Sequence, residues 1–251
     1  MSLQMQGPKG FKMFKLIKTT FVCSAMALLA GCGGGGDALP PAVTSFPVQD
    51  ALIYAYTNGL QSTLNVTGSA IDGVNTYPVT GSLTITLGAG TSTTFNGTVA
   101  VQTTETVNGT LTIAGQSAPL NSFSTSYLNF SYEPLAYSTT GSYCEAASPV
   151  VYPDTASVGQ SGNLGVFTCY TDSTKAILTG RETGTYLATA GSSYNTLDMT
   201  ITTNIYDALG ALAGTGSMTY TITGGGIPSL TQFNMSTTDS GITINITAKA
   251  I

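Results

Sequence analysis

The chain has 251 residues, 42% of them apolar and only 8% charged, with a formal net charge of −5, whereas a soluble domain ordinarily carries about 25% charged residues. Histidine is absent, which excludes Ser-His and Cys-His nucleophile pairs, His-ligated metals and the usual near-neutral proton shuttle. A mean hydropathy of +0.22 with so little net charge also excludes the composition of a disordered chain, and the length suits one large β domain or two small ones.

At the N-terminus, Lys12, Lys15 and Lys18 precede an apolar run over residues 21–30. The run is too short to cross a bilayer as a permanent helix but has the length of a secretory signal core. It closes on Leu29-Ala30-Gly31-Cys32. In order and spacing these parts resemble the signal and lipobox of bacterial lipoprotein precursors, over about the first 32 residues. The resemblance implies cleavage before Cys32 and a diacylglycerol on its thiol, with several acyl chains anchoring where one alone is marginal. With glycine rather than a retaining aspartate after the lipidated cysteine, it also implies the outer membrane, with either the periplasmic or the surface face open. Residues 1–12 stand ahead of the conventional start that Met13 would give and read as additional residues of a signal spanning 1–31.

Cleavage at that point removes Lys9, Lys12, Lys15 and Lys18 and leaves Lys175, Arg181 and Lys249 against 12 carboxylates, a net charge of 3 − 12 = −9. Such a surface argues against nucleic acid as a partner, because phosphates need basic side chains. It also disfavours electrostatic attachment to anionic lipid, so the membrane is expected to be held through the covalent lipid alone. Residues 32–47, with four consecutive glycines and Pro40-Pro41, read as a lipidated flexible tether.

The first folded element is expected to be a helix from Pro47 to Thr57, with Pro47 in its first turn, Asn58-Gly59 as its C-terminal cap and an apolar stripe of Val48, Leu52, Ala55 and Tyr56. That stripe is expected to pack on a sheet. Beyond Gly59 the hydrophobic period is two. Leu64/Val66, Leu83/Ile85/Leu87, Val99/Val101, Leu111/Ile113, Leu197/Met199/Ile201, Met218/Tyr220/Ile222 and Ile242/Ile244/Ile246 alternate with Thr, Ser or Asn, the pattern of sheets with one buried face. Turn chemistry falls between these runs at Asp72-Gly73, Asn96-Gly97, Asn108-Gly109, Tyr206–Gly210, Gly224–Gly226 and Asp239-Ser-Gly241, so the strands are expected to form antiparallel meanders. Val79-Thr-Gly-Ser-Leu-Thr-Ile85 is echoed 28 positions later by Val107-Asn-Gly-Thr-Leu-Thr-Ile113. A boundary near Tyr137–Gly141 divides the chain into two all-β modules, 48–140 with the leading helix and 141–251, each expected to be sandwich- or half-barrel-like.

Once Cys23 leaves with the signal and Cys32 is acylated, Cys144 and Cys169 remain and read as one disulfide in the second module. Other chemical motifs are sparse. Gly159-Gln-Ser161-Gly162 has the wrong glycine spacing for a nucleophile elbow and reads as a turn. Ser173-Thr-Lys175 places Ser and Lys together, but beside Asp172 in what reads as a hairpin turn, where a lysine does not become a base. Glu105, Glu133, Glu145, Asp154, Asp172, Glu182 and Asp198 are the acids that a carboxylate-based hydrolase would have to bring together, and nothing in their spacing does so. Asn-x-Ser/Thr triplets at Asn65, Asn96, Asn108, Asn234 and Asn245 are what a Thr/Asn-rich strand chain produces without glycans. The acidic loops, such as Asp72-Gly-Val-Asn75, lack the dense acidic spacing of a calcium loop, so no metal and no cofactor is expected.

Tyr152, Tyr170 and Tyr186 flank the cysteine pair and are the candidate binding surface for a protein or glycan partner, since tyrosine offers contact area at low entropy cost. The expected function is a non-enzymatic binding or structural module of the cell envelope. Carriage of an apolar ligand in a barrel or half-barrel is the alternative.

Overall fold

The computed structural model describes residues 43–148 and 150–251. The signal, Cys32 and the tether up to residue 42 lie outside the described residues. A two-residue strand β1 (Phe46–Pro47) leads into helix α1 (Val48–Asn58), and every later element is a strand: β2 (Leu60–Ile71), β3 (Thr76–Leu87), β4 (Thr91–Phe95), β5 (Thr98–Ile113), β6 (Gln116–Leu128), β7 (Pro134–Thr139), β8 (Ser142–Ala146), β9 (Thr155–Ala156), β10 (Ser161–Tyr170), β11 (Leu178–Ala190), β12 (Thr196–Asp207), β13 (Leu212–Thr223), β14 (Pro228–Asp239) and β15 (Ile242–Ala250).

Twelve of these strands close into one antiparallel barrel in the order β2-β3-β5-β6-β7-β8-β10-β11-β12-β13-β14-β15, with β15 returning to β2. β4 hydrogen-bonds only to the start of β5 and stands outside the ring, and β1 pairs with β9 as a separate two-stranded ladder. The meanders are as the alternation predicts, but the expected pair of sandwich- or half-barrel modules is not what they build. β7 and β8 pair directly across the expected boundary, Tyr137 opposite Cys144, and Thr247 of β15 faces Thr67 of β2 on the other side. The physical reason is the edges. Two separate half-sheets would each leave unpaired rows of N–H and C=O groups, and closing them on one another removes both.

The alternating apolar residues point inward, with the exception of Val99, which is exposed at the start of β5 next to the buried Ala100 and Val101. Leu64, Leu83, Ile85, Leu111, Leu197, Met199, Tyr220, Ile222, Ile244 and Ile246 are all buried in a single core. Outside, hydroxyls and amides bond across neighbouring strands: Thr200 with Thr219 at 2.9 Å, Thr238 with Thr243 at 2.9 Å, and Thr247 donating to Asn234 Oδ1 at 2.9 Å. Apolar inside and hydroxylated outside is the reverse of a barrel that faces lipid. Among the described residues no helix is long and apolar enough to cross a membrane.

Helix α1 stops one end of the barrel, with its apolar face against the inner face of the sheet. Its expected stripe is buried, together with Ala51, and merges with the barrel core. It ends where Gly59, at φ 72°, turns its N–H back to the Ala55 carbonyl. Loops at that end tie it down: Gly90 N donates to Tyr56 O at 2.6 Å, Gln49 N to Asp154 O at 3.1 Å, and Gln49 Nε2 to Ser131 O at 2.6 Å. The opposite end has short reversals at residues 72–75, 114–115, 140–141, 208–211 and 240–241. Asn96-Gly97 (φ 49° and 78°) and Ser240-Gly241 (φ 50° and 80°) have the paired positive φ of the tight hairpin turns expected there.

Asn108-Gly109 is not a turn. Both residues lie inside β5, hydrogen-bonded between β3 and β6. The reason is the echoed motif. Its two copies lie on β3 and β5 and pair with each other around Ser82 and Thr110, so that Val79 faces Ile113, Gly81 faces Leu111, Leu83 faces Gly109 and Ile85 faces Val107. Each glycine thus sits against the other copy's leucine: a Cβ on Gly81 would come within 3.0 Å of Leu111 Cδ2, and one on Gly109 within 2.7 Å of Leu83 Cδ2. Glycine here makes room for a neighbour on a sharply curved wall.

Cys144 on β8 and Cys169 on β10 are direct cross-strand partners and form the expected disulfide, 25 positions apart. Tyr137 and Phe167 pack beside it. In the chain-entropy account a loop of this length adds about 3–4 kcal/mol. Reduction is therefore expected to lower the melting temperature by about 10 °C, measured by thermal melts with and without dithiothreitol. Two thiols titrating in the native, unreduced protein would contradict the pairing.

Candidate functional site: a polar cavity inside the barrel

The barrel interior is not uniformly apolar. On β2, β3 and β13 to β15 the inward positions are mainly aliphatic or aromatic, and they fill the space against α1. On β5, β6, β11 and β12 they include Thr103, Glu105, Ser124, Ser126, Glu182 and Thr203. Among the described residues the buried polar ones are Thr103, Glu105, Ser124, Glu182, Thr203 and Thr237, and four of these six line one cavity of about 60 Å³. Burying polar groups costs free energy that an aliphatic lining would not, so their concentration around the cavity marks this part of the core as different from the rest.

The wall here is built differently too. β7 and β8 have 6 and 5 residues, against 13 in β6 and 10 in β10. β7 pairs only Ser124–Leu128 of β6, and β8 only Phe167–Tyr170 of β10, so the first half of β10 has no partner in β8 and the irregular segment after β8 completes the wall there. It is held by Ala147 N donating to Val166 O at 2.9 Å and turns Val150 and Tyr152 into the cavity. Leu87, Leu128, Leu164, Phe167 and Ile201 supply apolar surface, and α1 contributes Tyr56, whose ring stacks on Tyr132 with centroids 5.9 Å apart. The cavity is thus an apolar chamber with carboxylates on two walls, Glu105 (6% exposed) from β5 and Glu182 (8% exposed) from β11.

Of the seven acids weighed for carboxylate chemistry, the barrel brings only this pair to the cavity. Glu145 forms an ion pair with Lys175 and accepts from Tyr143 Oη at 3.2 Å. Burial, reinforced by the Glu145 charge, pushes the Tyr143 hydroxyl up to about 12. Glu133 accepts from Asn129 Nδ2 at 2.6 Å, Asp198 from Thr221 Oγ1 at 2.5 Å, and Asp154 lends its carbonyl to the helix. Asp172 accepts from the Thr174 hydroxyl and backbone N–H, which hold its carboxyl below the usual range. Asp72 is lowered likewise, chiefly by the Asn75 N–H. Ser173 and Lys175 occupy the expected turn, with Lys175 at φ 59° and its ammonium on Glu145. Gly159 lies in a turn, its N–H bonded to Ala188 O, and Ser161 opens β10.

The three tyrosines do not form one exposed face. Tyr152 is 4% exposed and lines the cavity. Tyr186 is 8% exposed in the core, its hydroxyl accepting from Gln160 Nε2 at 3.2 Å. Tyr170 is half-buried, between Tyr143 and Leu178 in register. Strand alternation sends Tyr186 inward with Ala188, which is why tyrosine content alone is a poor guide to a surface.

A Glu182 carboxylate oxygen lies within 4.8 Å of both cysteine sulfurs, but sulfurs joined in a disulfide have no thiolate to offer a metal. The signal for the carboxylate pair was parity. Glu105 falls in step with the inward Val101, Thr103 and Val107, and Glu182 with Tyr186 and Ala188, so each acid occupies a core position of its strand. Comparison of the chain with protein-family models, with curated proteins and with solved structures finds no match.

Proposed function

We propose that this protein is a lipid-anchored, non-enzymatic binding barrel of the bacterial outer membrane that holds a small molecule in its interior cavity. The observation that carries the binding part is the cavity of about 60 Å³ walled by buried polar side chains in a core that is otherwise filled with aliphatic and aromatic groups. Ligand sites in barrels have this character, mostly apolar with a few placed polar groups. The anchoring part rests on the ordered signal and Leu29-Ala30-Gly31-Cys32.

Carriage of a purely apolar ligand is the second reading, favoured by Leu87, Leu128, Leu164 and Ile201 in the lining. It gives no role to Glu105 and Glu182. A carboxylate-based glycosidase fits less well, because its two acids must flank a glycosidic bond with sugar on either side, and the cavity is smaller than that.

The anchor is tested with Cys32→Ala. The wild-type protein is expected to incorporate labelled palmitate and to fractionate with membranes, and the variant to do neither while keeping its thermal melt. A variant that still takes up palmitate and still sediments with membranes would overturn the anchor.

A further inference from the structure

Resting on the binding-barrel reading, we infer that the β7–β8 hairpin is the gate of the cavity and that the Cys144–Cys169 disulfide is its latch. The cavity lies within the ring, so an occupant has to pass either the stopper or the wall. Withdrawing α1 would expose Val48, Ala51, Leu52, Ala55 and Tyr56, all members of the main core, and losing that much buried apolar surface is costly. The hairpin is held more lightly. It meets β6 only along Ser124–Leu128 and β10 only along Phe167–Tyr170. By contrast, β15 lies in register with β2 over Thr243–Ala250, and the other ladders of the ring are as long or longer.

Its side chains are also set apart. Tyr137 and Cys144 form a small cluster with Cys169, separate from the main core, and Phe167 packs against both. On the inner face Pro134, Ala136 and Tyr137 line the cavity, so lifting the hairpin opens that chamber directly. On the outer face Glu145 holds the Lys175 ammonium and accepts from Asn96 Nδ2 at 3.4 Å, and such partly exposed contacts are worth little. The covalent tie is the disulfide, which joins β8 to β10 at direct cross-strand partners. Short ladders and a satellite cluster describe a segment that opens locally at lower free energy than the whole fold, and a bond across one of its two edges keeps it shut. A dithiol reductant gives the bond two electrons and two protons, leaving thiols on Cys144 and Cys169 and itself becoming a disulfide. The hairpin is then free to lift.

Two readouts on the purified protein test this, and neither needs a ligand, so the gate and the binding reading fail separately. In hydrogen exchange followed by mass spectrometry, amides of β7 and β8 are expected to exchange at least about tenfold faster in Cys144→Ala/Cys169→Ala than in the wild type, while those of β12 to β14 keep their protection. Wild-type protein reduced with dithiothreitol is expected to repeat that result, which guards against a variant that folds badly. The second readout places a thiol in the chamber with Ser124→Cys, at a lining residue that is 5% exposed. Methyl methanethiosulfonate is expected to methylthiolate that thiol at least about tenfold faster when the Cys144–Cys169 bond is absent. The group it adds has two heavy atoms, and a cavity of about 60 Å³ holds about five water-sized groups. Equal protection of β7 and β8 with and without the bond, or protection lost equally across the whole barrel, would overturn the latch. Faster hairpin exchange with an unchanged labelling rate at Ser124→Cys would overturn the gate, since the hairpin would then lift without opening the cavity.

Discussion

Gly109→Val is expected to destabilise the barrel by about 4 kcal/mol or more, at the severe end of single substitutions. The position is a strand interior, where valine is ordinarily favoured, so propensity alone predicts a gain. Packing decides otherwise. A Cβ at Gly109 would run into the Ser82 carbonyl oxygen and stand 2.7 Å from Leu83 Cδ2, and β5 cannot retreat because it is bonded on its other side to β6, Asn108 to Asn121 and Gly109 to Leu120. The ladder between β3 and β5 closes the ring, so relief must come from opening it. Chemical denaturation should show a lower midpoint, and the same change at Gly97, a turn glycine with nothing within 4 Å of an added Cβ, should act only through its positive φ of 78°. Equal, small effects at Gly109 and Gly97 would show that the ring does not close between β3 and β5.

Leu52→Ala is expected to cost about 3 kcal/mol, within the range for emptying a fully buried leucine site. Leu52 has no exposed surface and belongs to the same core as Leu64, Leu83 and Leu197. The helix that carries it is 11 residues long, too short to be stable by itself, so it holds its place through this face and through the bonds of Gln49 and Tyr56 to the loops. Equilibrium unfolding should give a reduced free energy with an unchanged denaturant slope if the barrel remains one cooperative unit. A loss below about 0.5 kcal/mol, typical of surface changes, would place the helix outside the barrel.

Much of this architecture was legible one element at a time. Helical spacing between Val48 and Tyr56 located α1 to within one residue, and period-two runs such as Leu197/Met199/Ile201 located strands with their inward faces. Asn96-Gly97 and Asp239-Ser-Gly241 marked reversals because their chemistry tolerates positive φ. The ring closure was not legible, since alternation specifies which face is buried and says nothing of which distant strand an edge will meet. For the same reason Asn108-Gly109 read as a turn: a turn dipeptide and a packing glycine look alike until the partner strand is known. The site was half-legible. Glu105 and Glu182 were visible as acids in step with inward positions, but their shared cavity depends on β5 and β11 lying on the same chamber, a consequence of strand order alone.

The pairing of β2 with β15 has a kinetic consequence. Val66 faces Ala248 across that ladder, partners 182 positions apart, so the ring cannot shut until nearly the whole chain is present. Hairpins such as β12–β13 can zip early on local contacts, but the stopper comes from the N-terminal side and must be enclosed by strands that follow it. Contacts so distant in sequence place the protein among slow folders, on the millisecond-to-second scale or beyond. Until that last strand arrives, the interior that the finished barrel buries stays open to solvent.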